Sequence, residues 1–351
     1  MSRIAVYGAG RLGGRLVSLL SGQGRKDVYL LDASEDALDA AVDSVPQIVL
    51  KGSRTLDAFL AEGDIVVAAS GGDQCLPLAV AALRNRCHYI DFNESPSTAN
   101  SILKLEGNGI STLVPSCGFS PGLQAALISD FANEISGPFD LNVYAGVIPR
   151  QRVNRLGYGL VMNIDGLLQE YLGKALIKQN GAWQEIEPLT LEETIVIDGE
   201  GFEAFVTGGT TNELPRGVAE RVRSYAYRTL RYPGHLDYIR FLLEDLKLRG
   251  RRDLLSNLLR NGLPVIETDQ AIIHLSAMVL TGKYGKESRH RTWRVEGRGD
   301  GGVLYDIAAK HGAAIIELME TGVLAGRGPV RQEDLDPSLI LSNPQIRMLF
   351  E

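Results

Sequence analysis

The sequence predicts an α/β protein: a doubly wound parallel sheet, followed by an α+β second domain with a mixed, mostly antiparallel sheet. Up to about residue 120, apolar strands alternate with helical segments, which is the pattern of parallel strands joined by crossover helices. From about residue 140, several strands alternate polar with apolar residues, and few crossover helices separate them. At 351 residues the chain is long enough for two domains.

In the first region each predicted strand is a short apolar run, and each predicted helix carries apolar residues at helical spacing. Residues 64–70 are too apolar for a half-exposed strand and are typical of a strand that is covered on both faces. The predicted strands cover residues 3–7, 28–31, 47–50, 64–70, 88–92 and 111–115, and the predicted helices cover residues 11–21, 55–62, 76–86 and 98–108.

In the second region the predicted strands cover residues 141–148, 193–198, 203–207, 221–230, 271–280 and 292–296, and two helices cover residues 235–248 and 251–261. A long helix over residues 304–319 opens the last segment, which is a candidate to return to the first domain. We therefore expect one domain at residues 1–122 and a second at 123–302, with residues 303–351 as the returning segment.

A glycine-rich turn links the first strand to the first helix. The turn reads Gly-Ala-Gly-Arg-Leu-Gly over residues 8–13, and nineteen residues later the second strand ends in Asp32. This spacing is the βαβ signature of a Rossmann dinucleotide-binding domain. The residues that we expect to hold the dinucleotide are Gly8, Gly10, Arg11, Leu12, Gly13 and Asp32.

Each part of this turn has a distinct predicted role. Gly8 permits the tight turn, Gly10 lets the backbone approach a pyrophosphate, and Gly13 lets the helix pack closely on the strands. Asp32 would accept hydrogen bonds from the adenosine ribose and would repel the 2′-phosphate of NADP. Because no arginine follows Asp32 in Ala33-Ser34, we expect NAD rather than NADP.

Composition limits the possible partners and the cellular location. The net charge of −7 and the pI near 5.4 argue against nucleic acid or an anionic membrane as a main partner. Cys75, Cys87 and Cys117 lack CxxC spacing, which favours a reducing compartment and no metal site. The first strand leaves no room for a signal peptide, and no apolar run is long enough to span a bilayer, so we expect a cytoplasmic protein.

A second motif follows the sixth strand. Residues 118–122 fit G-x-S-x-G, the nucleophile elbow of serine hydrolases, in which the residue after the serine donates its backbone N–H to the oxyanion. Here that residue is Pro121, which has no N–H. We therefore interpret Ser120 as a helix N-cap and Pro121 as the first residue of a helix that continues over residues 122–134, and we disfavour a hydrolase.

A third motif, Thr229–His235, ends a predicted strand and opens a helix across a Pro-Gly turn. It places Arg231, Tyr232 and His235 at one element junction, where binding side chains are often found. Arginine suits bidentate binding of a carboxylate. A turn that merely carries surface charges is the alternative interpretation.

The Thr229–His235 segment resembles the signature of the saccharopine dehydrogenase and lysine 6-dehydrogenase family, and carboxynorspermidine dehydrogenases carry similar stretches. Residues 114–123 are similar to that family's loop after the sixth strand, and His88–Asp91 match its HY-x-D strand. Residues 156–168 and 181–185 resemble the entry to its substrate domain. The resemblance therefore covers most of the chain.

The resemblance implies an NAD(P)-dependent oxidoreductase of amino-acid metabolism that acts on a C–N bond of an amino acid, such as lysine, or of its secondary-amine conjugate. It implies that the second domain binds this small-molecule substrate and forms a homodimer. Arg231, Tyr232 and His235 would then lie in or beside the substrate cleft. The residues that the resemblance places around the nicotinamide are Ala69, Ser70, Cys117, Gly118 and Phe119.

The chain departs from the family in two loops, Ala-Ser-Gly-Gly at residues 69–72 and Asp-Phe-Asn-Glu at residues 91–94. Both departures touch the expected cleft, so the substrate cannot be carried over from any one relative.

The expected reaction passes a hydride between an amine-bearing carbon and the nicotinamide through an imine, and one proton must be moved. His235 is the first candidate for the general base, Glu94 the second and Asp91 the third, and Arg231 would bind a carboxylate. His274 lies within an apolar strand and is expected in the core. Two alternatives stay open: a biosynthetic reductase that condenses a carbonyl with an amine, and a non-catalytic NAD-sensing protein.

Overall fold

The computed structural model describes residues 2–41, 44–50, 53–209, 214–281, 285–297 and 302–351. The chain divides into two compact units. Unit 1 contains Met1–Leu127, Tyr305–Leu349 and Glu351, and unit 2 contains Ile128–Leu304 and Phe350. The predicted long helix thus continues from unit 2 into unit 1, and residues 298–301 before it lie outside the described residues.

The strands, in chain order, are β1 (Ile4–Tyr7), β2 (Val28–Asp32), β3 (Gln47–Val49), β4 (Ile65–Ala68), β5 (His88–Asp91), β6 (Thr112–Val114), β7 (Phe139–Pro149), β8 (Ala175–Gln179), β9 (Ala182–Ile186), β10 (Thr190–Ile197), β11 (Glu200–Val206), β12 (Val222–Arg231), β13 (Asp269–Thr281), β14 (Gly285–Glu296) and β15 (Gly328–Pro329).

The α-helices are α1 (Arg11–Gly22), α2 (Glu35–Asp39), α3 (Ser53–Phe59), α4 (Gly72–Arg84), α5 (Pro96–Leu103), α6 (Gln124–Asn133), α7 (Ile164–Leu172), α8 (Arg216–Ala219), α9 (His235–Arg240), α10 (Arg252–Gly262), α11 (Val303–Glu320), α12 (Pro337–Leu341) and α13 (Pro344–Arg347). Among the described residues, none of these helices is long and apolar enough to cross a membrane.

Unit 1 is built on a parallel sheet with the strand order β15-β6-β5-β4-β1-β2-β3. The order reverses between β1 and β4, which are neighbours in the sheet although two strands separate them in the chain. This topology confirms the predicted doubly wound parallel sheet. The loops that follow β1 and β4 therefore open side by side, and ligands of such sheets bind at this point.

Apolar side chains hold the parallel sheet in the core of unit 1. The central strands bury Ile4, Val6 and residues 65–67 completely, and α1 covers the sheet with Leu16 and Leu20. Each buried side chain of this size contributes about 1.5–3 kcal/mol relative to its exposed form. The glycine-rich turn thus rests on a rigid scaffold.

Unit 2 is built on a mixed sheet with the strand order β10-β11-β12-β7-β13-β14, and β8 and β9 extend from β12. Every neighbouring pair is antiparallel except β12 and β7, so the predicted mostly antiparallel sheet is confirmed. His274 lies in β13, between β7 and β14, and is 9% exposed, as expected for a core histidine.

The structure differs from the predicted elements of unit 2 at several places, and helices α7 and α8 were not predicted. Strands β8 and β9 were not predicted, because β9 is mostly exposed and carries no alternating apolar pattern. The helix predicted over residues 235–248 is instead α9 followed by a π-helical turn, Phe241–Asp245, and a 3-10 turn, Leu248–Gly250.

Candidate functional site

The glycine-rich turn between β1 and α1 can only be made by glycine at its two ends. Gly8 has a φ of +115°, and a Cβ atom there would lie 2.6 Å from the carbonyl oxygen of Ala69 on the loop after β4. A Cβ atom at Gly13 would overlap the carbonyl oxygen of Gly8. The two glycines therefore let the turn, α1 and the β4 loop approach one another closely.

Gly10 lies in a different environment, since a Cβ atom there would meet no atom of the described chain within 4 Å. It is the N-cap residue of α1, and no side chain caps that helix end. The first N–H groups and the dipole of a helix favour an anion at this position. The open space at Gly10 thus fits the pyrophosphate of a dinucleotide.

Replacement of Gly10 by alanine is expected to leave the fold intact and to weaken NADH binding by about tenfold, which corresponds to about 1.4 kcal/mol. The added methyl group meets no protein atom, but it enters the space that the pyrophosphate would fill. The measurement is a titration with NADH, and the control is Gly22→Ala at the other end of α1, where a Cβ also meets nothing within 4 Å. Equal NADH affinity in both variants would contradict the assignment.

Asp32 ends β2 and lies beside the glycine-rich turn. Its Oδ2 accepts a hydrogen bond from the Ala9 N–H at 2.8 Å, and its Oδ1 accepts one from the Ser34 N–H at 2.9 Å. These bonds orient the carboxylate, and each oxygen keeps a second lone pair for a ligand hydroxyl. The position at the end of β2 is the one that reads the adenosine ribose in Rossmann domains.

The other predicted cofactor residues near the turn have separate environments. Arg11 is exposed, and its guanidinium carbon lies 4.6 Å from the ring centre of Tyr305. Leu12 is half-buried in the first turn of α1. Ala69 is tied to β1 through a hydrogen bond to the Tyr7 carbonyl, and the hydroxyl of Ser70 is buried without a partner.

The loop after β6 carries Cys117, Gly118 and Phe119, all buried. Gly118 has a φ of +109°, and burial raises the pKa of the Cys117 thiol. The predicted side-chain cap at Ser120 is wrong: its backbone is extended (φ −138°, ψ 132°), as at an N-cap, but its hydroxyl makes no hydrogen bond, and α6 begins at Gln124.

His311 on α11 contacts this loop as well, and it was not predicted from the sequence. Its Nδ1 accepts a hydrogen bond from the Gly118 N–H at 3.2 Å, and the ring is completely buried. No local pattern marks this histidine, because α11 follows β6 by almost two hundred residues in the chain.

The two carboxylates after β5 differ in burial. Asp91 is 1% exposed, and its oxygens accept hydrogen bonds from the N–H groups of Ser116 and Asn93 and from the Tyr89 hydroxyl. Burial raises the pKa of Asp91, and these hydrogen bonds only partly offset the rise. With both oxygens engaged, Asp91 organises the loops and is poorly suited to move a proton. Glu94 is exposed on the same loop.

A buried polar network in unit 2 joins the end of β12 to α7. The Arg231 side chain is 2% exposed, and its Nη2 donates to Glu170 Oε2 at 2.7 Å. Its Nη1 donates to the Leu230 carbonyl, and its Cζ lies 4.4 Å from the ring centre of Tyr158. A substrate carboxylate would therefore have to compete with Glu170 for the buried Arg231 guanidinium.

Glu170 is the accessible member of this network, because its side chain is 23% exposed. Burial raises the pKa of Glu170, and the nearby Arg231 opposes the rise. Perturbed pKa values of this origin are enriched at functional sites. Sequence reasoning missed Glu170, because neither helix α7 nor its pairing with Arg231, 61 positions away in the chain, was predicted.

His235 is completely buried at the start of α9. Its Nδ1 lies 2.9 Å from the Leu156 carbonyl oxygen and its Nε2 lies 2.7 Å from the Tyr171 hydroxyl. A carbonyl oxygen can only accept, so Nδ1 carries the hydrogen and Tyr171 donates to Nε2. Burial, with a contribution from Arg231, lowers the pKa of His235 to about 3. The predicted role of His235 as general base conflicts with this geometry, because both ring nitrogens are engaged.

Tyr232 points elsewhere than its neighbours Arg231 and His235. Its hydroxyl donates to the Pro149 carbonyl at the end of β7, and its ring lies 5.9 Å from that of Phe202. The structure thus joins Arg231 and His235 through Tyr158, Tyr171 and Glu170, but it leaves Tyr232 in a separate contact. Among the described residues, no group of histidine, cysteine or acidic side chains is arranged to hold a metal ion.

The parallel sheet, the glycine-rich turn and the carboxylate that ends β2 together define a dinucleotide-binding domain of the Rossmann class. Residues 4–113 match the model of the saccharopine dehydrogenase NADP binding domain. The match confirms the predicted resemblance to the saccharopine dehydrogenase family. It supports an oxidoreductase that uses a nicotinamide dinucleotide.

Two solved structures share the fold over nearly the whole chain. Saccharopine dehydrogenase (L-Glu forming) from Saccharomyces cerevisiae matches with a TM-score of 0.77 at 14% identity, covering 97% of this chain and 96% of that one. Homospermidine synthase from Legionella pneumophila, solved with NAD, matches with a TM-score of 0.69 at 15% identity, covering 99% and 90%. At these identities the matches establish the fold, so the substrate must be argued from this chain's own residues.

Proposed function

We propose that the protein is a nicotinamide-dependent dehydrogenase that oxidises a C–N bond of an amino acid or of its secondary-amine conjugate, through an imine. The observation that carries the proposal is the glycine-rich turn with Asp32, on a domain that matches the saccharopine dehydrogenase NADP binding domain. Unit 2 would bind the substrate, and the predicted homodimer and cytoplasmic location remain predictions.

NAD is the proposed cofactor. The Asp32 carboxylate stands where the 2′-position of the adenosine ribose is read, and a negative charge there disfavours the 2′-phosphate of NADP. Gly8, Gly10, Gly13 and the N-terminus of α1 would hold the pyrophosphate. The bound nicotinamide accepts or donates the hydride, and every other step depends on the protein's own side chains.

Glu170 is the group that we propose to take the proton of the substrate amine. It is a carboxylate with a raised pKa and a partly exposed side chain, so it can be reached and can be protonated. Arg231 holds it through the 2.7 Å ion pair, and the buried His235–Tyr171 pair packs beside it. In this proposal Arg231 and His235 are positioning residues.

A biosynthetic reductase that joins an amine to a carbonyl is the second candidate, and the Arg231–Glu170 pair favours it. Because Glu170 already neutralises Arg231, the network is better suited to an amine than to a free carboxylate. A polyamine-type substrate would satisfy Glu170 without displacing it from Arg231.

A substrate panel separates the two candidates. Lysine, saccharopine, ornithine and polyamine conjugates are each incubated with NAD and with NADP, and the appearance of reduced cofactor is followed by absorbance. The dehydrogenase proposal predicts cofactor reduction with at least one amine and a lower KM for NAD than for NADP.

The reverse direction supplies the discriminating result. Consumption of NADH only when a carbonyl compound and an amine are both present would favour the biosynthetic reductase. NADH binding without turnover in either direction would contradict both enzymes and would favour an NAD-sensing protein.

A further inference from the structure

Glu203 on β11 lies opposite the buried arginine of the unit 2 network but does not pair with it. In the antiparallel pairing of β11 with β12, Glu203 is the direct partner of Arg231. Side chains at such positions share one face of the sheet, with about 4.5–5.5 Å between their Cβ atoms. The Arg231 guanidinium nevertheless pairs with Glu170, so the half-buried Glu203 carboxylate needs other donors.

Both oxygens of Glu203 bind the first turn of α9. Oε2 accepts a hydrogen bond from the Gly234 N–H at 2.8 Å, and Oε1 accepts one from the Leu236 N–H at 2.5 Å. Gly234 is the N-cap residue of α9, with a φ of +91°, and it has no side chain to cap the helix. Glu203 thus supplies from β11 the acceptor that an N-cap side chain ordinarily supplies.

His235 is the residue between these two N–H groups, so the carboxylate fixes the backbone on both sides of it. The two ring nitrogens bond to the Leu156 carbonyl and the Tyr171 hydroxyl. Phe205, on the same strand as Glu203, stacks on the ring, with 6.3 Å between the ring centres and 15° between the planes. Strand β11 therefore holds His235 through its backbone and through its ring.

The charge of His235 matters to the Arg231–Glu170 pair. Burial and Arg231 keep the imidazole neutral, with a pKa lowered to about 3. A protonated ring could not accept the bond from Tyr171, because both of its nitrogens would carry hydrogen. It would also place a second positive charge beside the pair, which would lower the pKa of Glu170 and weaken it as a proton acceptor. The titratable or charged side chains around the His235–Tyr171 pair are Tyr158, Glu170, Glu203 and Arg231.

We propose that Glu203 is a positioning residue of this site. By binding the first turn of α9, Glu203 keeps His235 buried, neutral and bonded to Tyr171. It thereby keeps a second cation away from the Arg231–Glu170 pair. The inference rests on the proposed function, in which Glu170 takes the proton of the substrate amine.

The first measurement follows His235 directly. The ring C–H signals of the five histidines are recorded by NMR on the full chain from about pH 5 to about pH 8, and His235→Asn assigns the signal. In the wild-type protein the His235 signal is expected to stay constant, because its pKa is about 3. In Glu203→Gln, whose amide offers one acceptor oxygen for two N–H groups, the signal is expected to titrate near the ordinary value of about 6.5.

Glu203→Asp is the second variant, and it carries the same test if Glu203→Gln does not fold. Aspartate keeps the charge but is one methylene group shorter, so it cannot hold both N–H groups at hydrogen-bond distance. The His235 signal is expected to titrate in this variant as well.

The second measurement is the ratio of variant to wild-type kcat for amine oxidation at about pH 6 and at about pH 8. For Glu203→Gln this ratio is expected to be about one tenth at the lower pH, where His235 is protonated, and to rise as the ring loses its proton. A cap that only stabilises the helix would give the same ratio at both pH values. NADH affinity is expected to be unchanged, since the dinucleotide is assigned to unit 1.

Glu200→Gln is the matched control. Glu200 begins the same strand, its side chain is 48% exposed, and it pairs with Arg294 on β14. Its substitution changes the charge of β11 by the same amount and leaves the bonds to α9 in place. It is expected to leave the His235 signal constant and kcat unchanged at both pH values.

A His235 signal that stays constant in the Glu203 variants would overturn the inference, because the ring would then be held without the carboxylate. A titrating ring with a kcat ratio that does not depend on pH would overturn it as well, because the charge of the ring would not matter to Glu170. Failure of the wild-type protein to oxidise any amine, with the ring titrating in Glu203→Gln, would instead refute the proposed function and confirm that Glu203 holds His235.

Discussion

Replacement of Arg231 by methionine is expected to lower the free energy of unfolding of unit 2 by about 3 kcal/mol, because it leaves the Glu170 carboxylate partly buried without its cation. Methionine retains much of the volume of the arginine stem, so the loss reports mainly the missing guanidinium. That group bonds Glu170, bonds the Leu230 carbonyl and packs on the Tyr158 ring. The partial exposure of Glu170 keeps the estimate at the lower end of the range for buried pairs.

The measurement is urea unfolding followed by tryptophan fluorescence. Trp183 and Trp293 are the two tryptophans of the chain, and both lie in unit 2, so the signal reports this unit selectively. The control is Arg252→Met, which removes an exposed partner of Asp165 and should cost less than about 1 kcal/mol. Equal destabilisation by the two substitutions would contradict the role assigned to the buried pair.

The double variant Arg231→Met/Glu170→Leu separates the ion pair from the packing. If the cost of the single substitution comes from an unpaired carboxylate, removal of Glu170 as well should restore a large part of the stability. An additive loss in the double variant would show that packing of the guanidinium, rather than its charge, stabilises the unit.

Local sequence signals predicted the parallel sheet and the dinucleotide turn. Gly8, Gly10, Gly13 and Asp32 are read from spacing alone, because one βαβ unit brings them together within about thirty residues. The strands of unit 2 were also predicted where polar and apolar residues alternate. The exposed strand β9 lacks that pattern, and its pairing with β8 depends on tertiary context.

The polar side chains that define the two sites were harder to predict, because distant segments supply them. His311 meets Gly118 across 193 positions of the chain, and Arg231 meets Glu170 across 61. No spacing rule connects such pairs. The junction between β12 and α9 at Arg231 was predicted correctly. The sequence could not show that the Arg231 guanidinium is already paired with the Glu170 carboxylate.

Glu170→Gln is expected to lower turnover of the amine substrate by a factor of about 100 or more while leaving NADH affinity unchanged, because a neutral amide cannot take the amine proton. The amide oxygen can still accept the hydrogen bond from Arg231, so the network keeps its geometry. The matched control is Asp165→Asn on the same helix, α7, whose side chain is 76% exposed and which should turn over normally.

The pH profile distinguishes a proton acceptor from a merely structural carboxylate. Burial raises the pKa of Glu170, so in the wild-type protein kcat for amine oxidation should rise with pH as this carboxyl group loses its proton. In Glu170→Gln that rise should disappear from the residual activity, because the amide that replaces the proton acceptor does not titrate. A variant that keeps the wild-type kcat and the same rise would show that Glu170 only holds Arg231, and the base would have to be sought elsewhere.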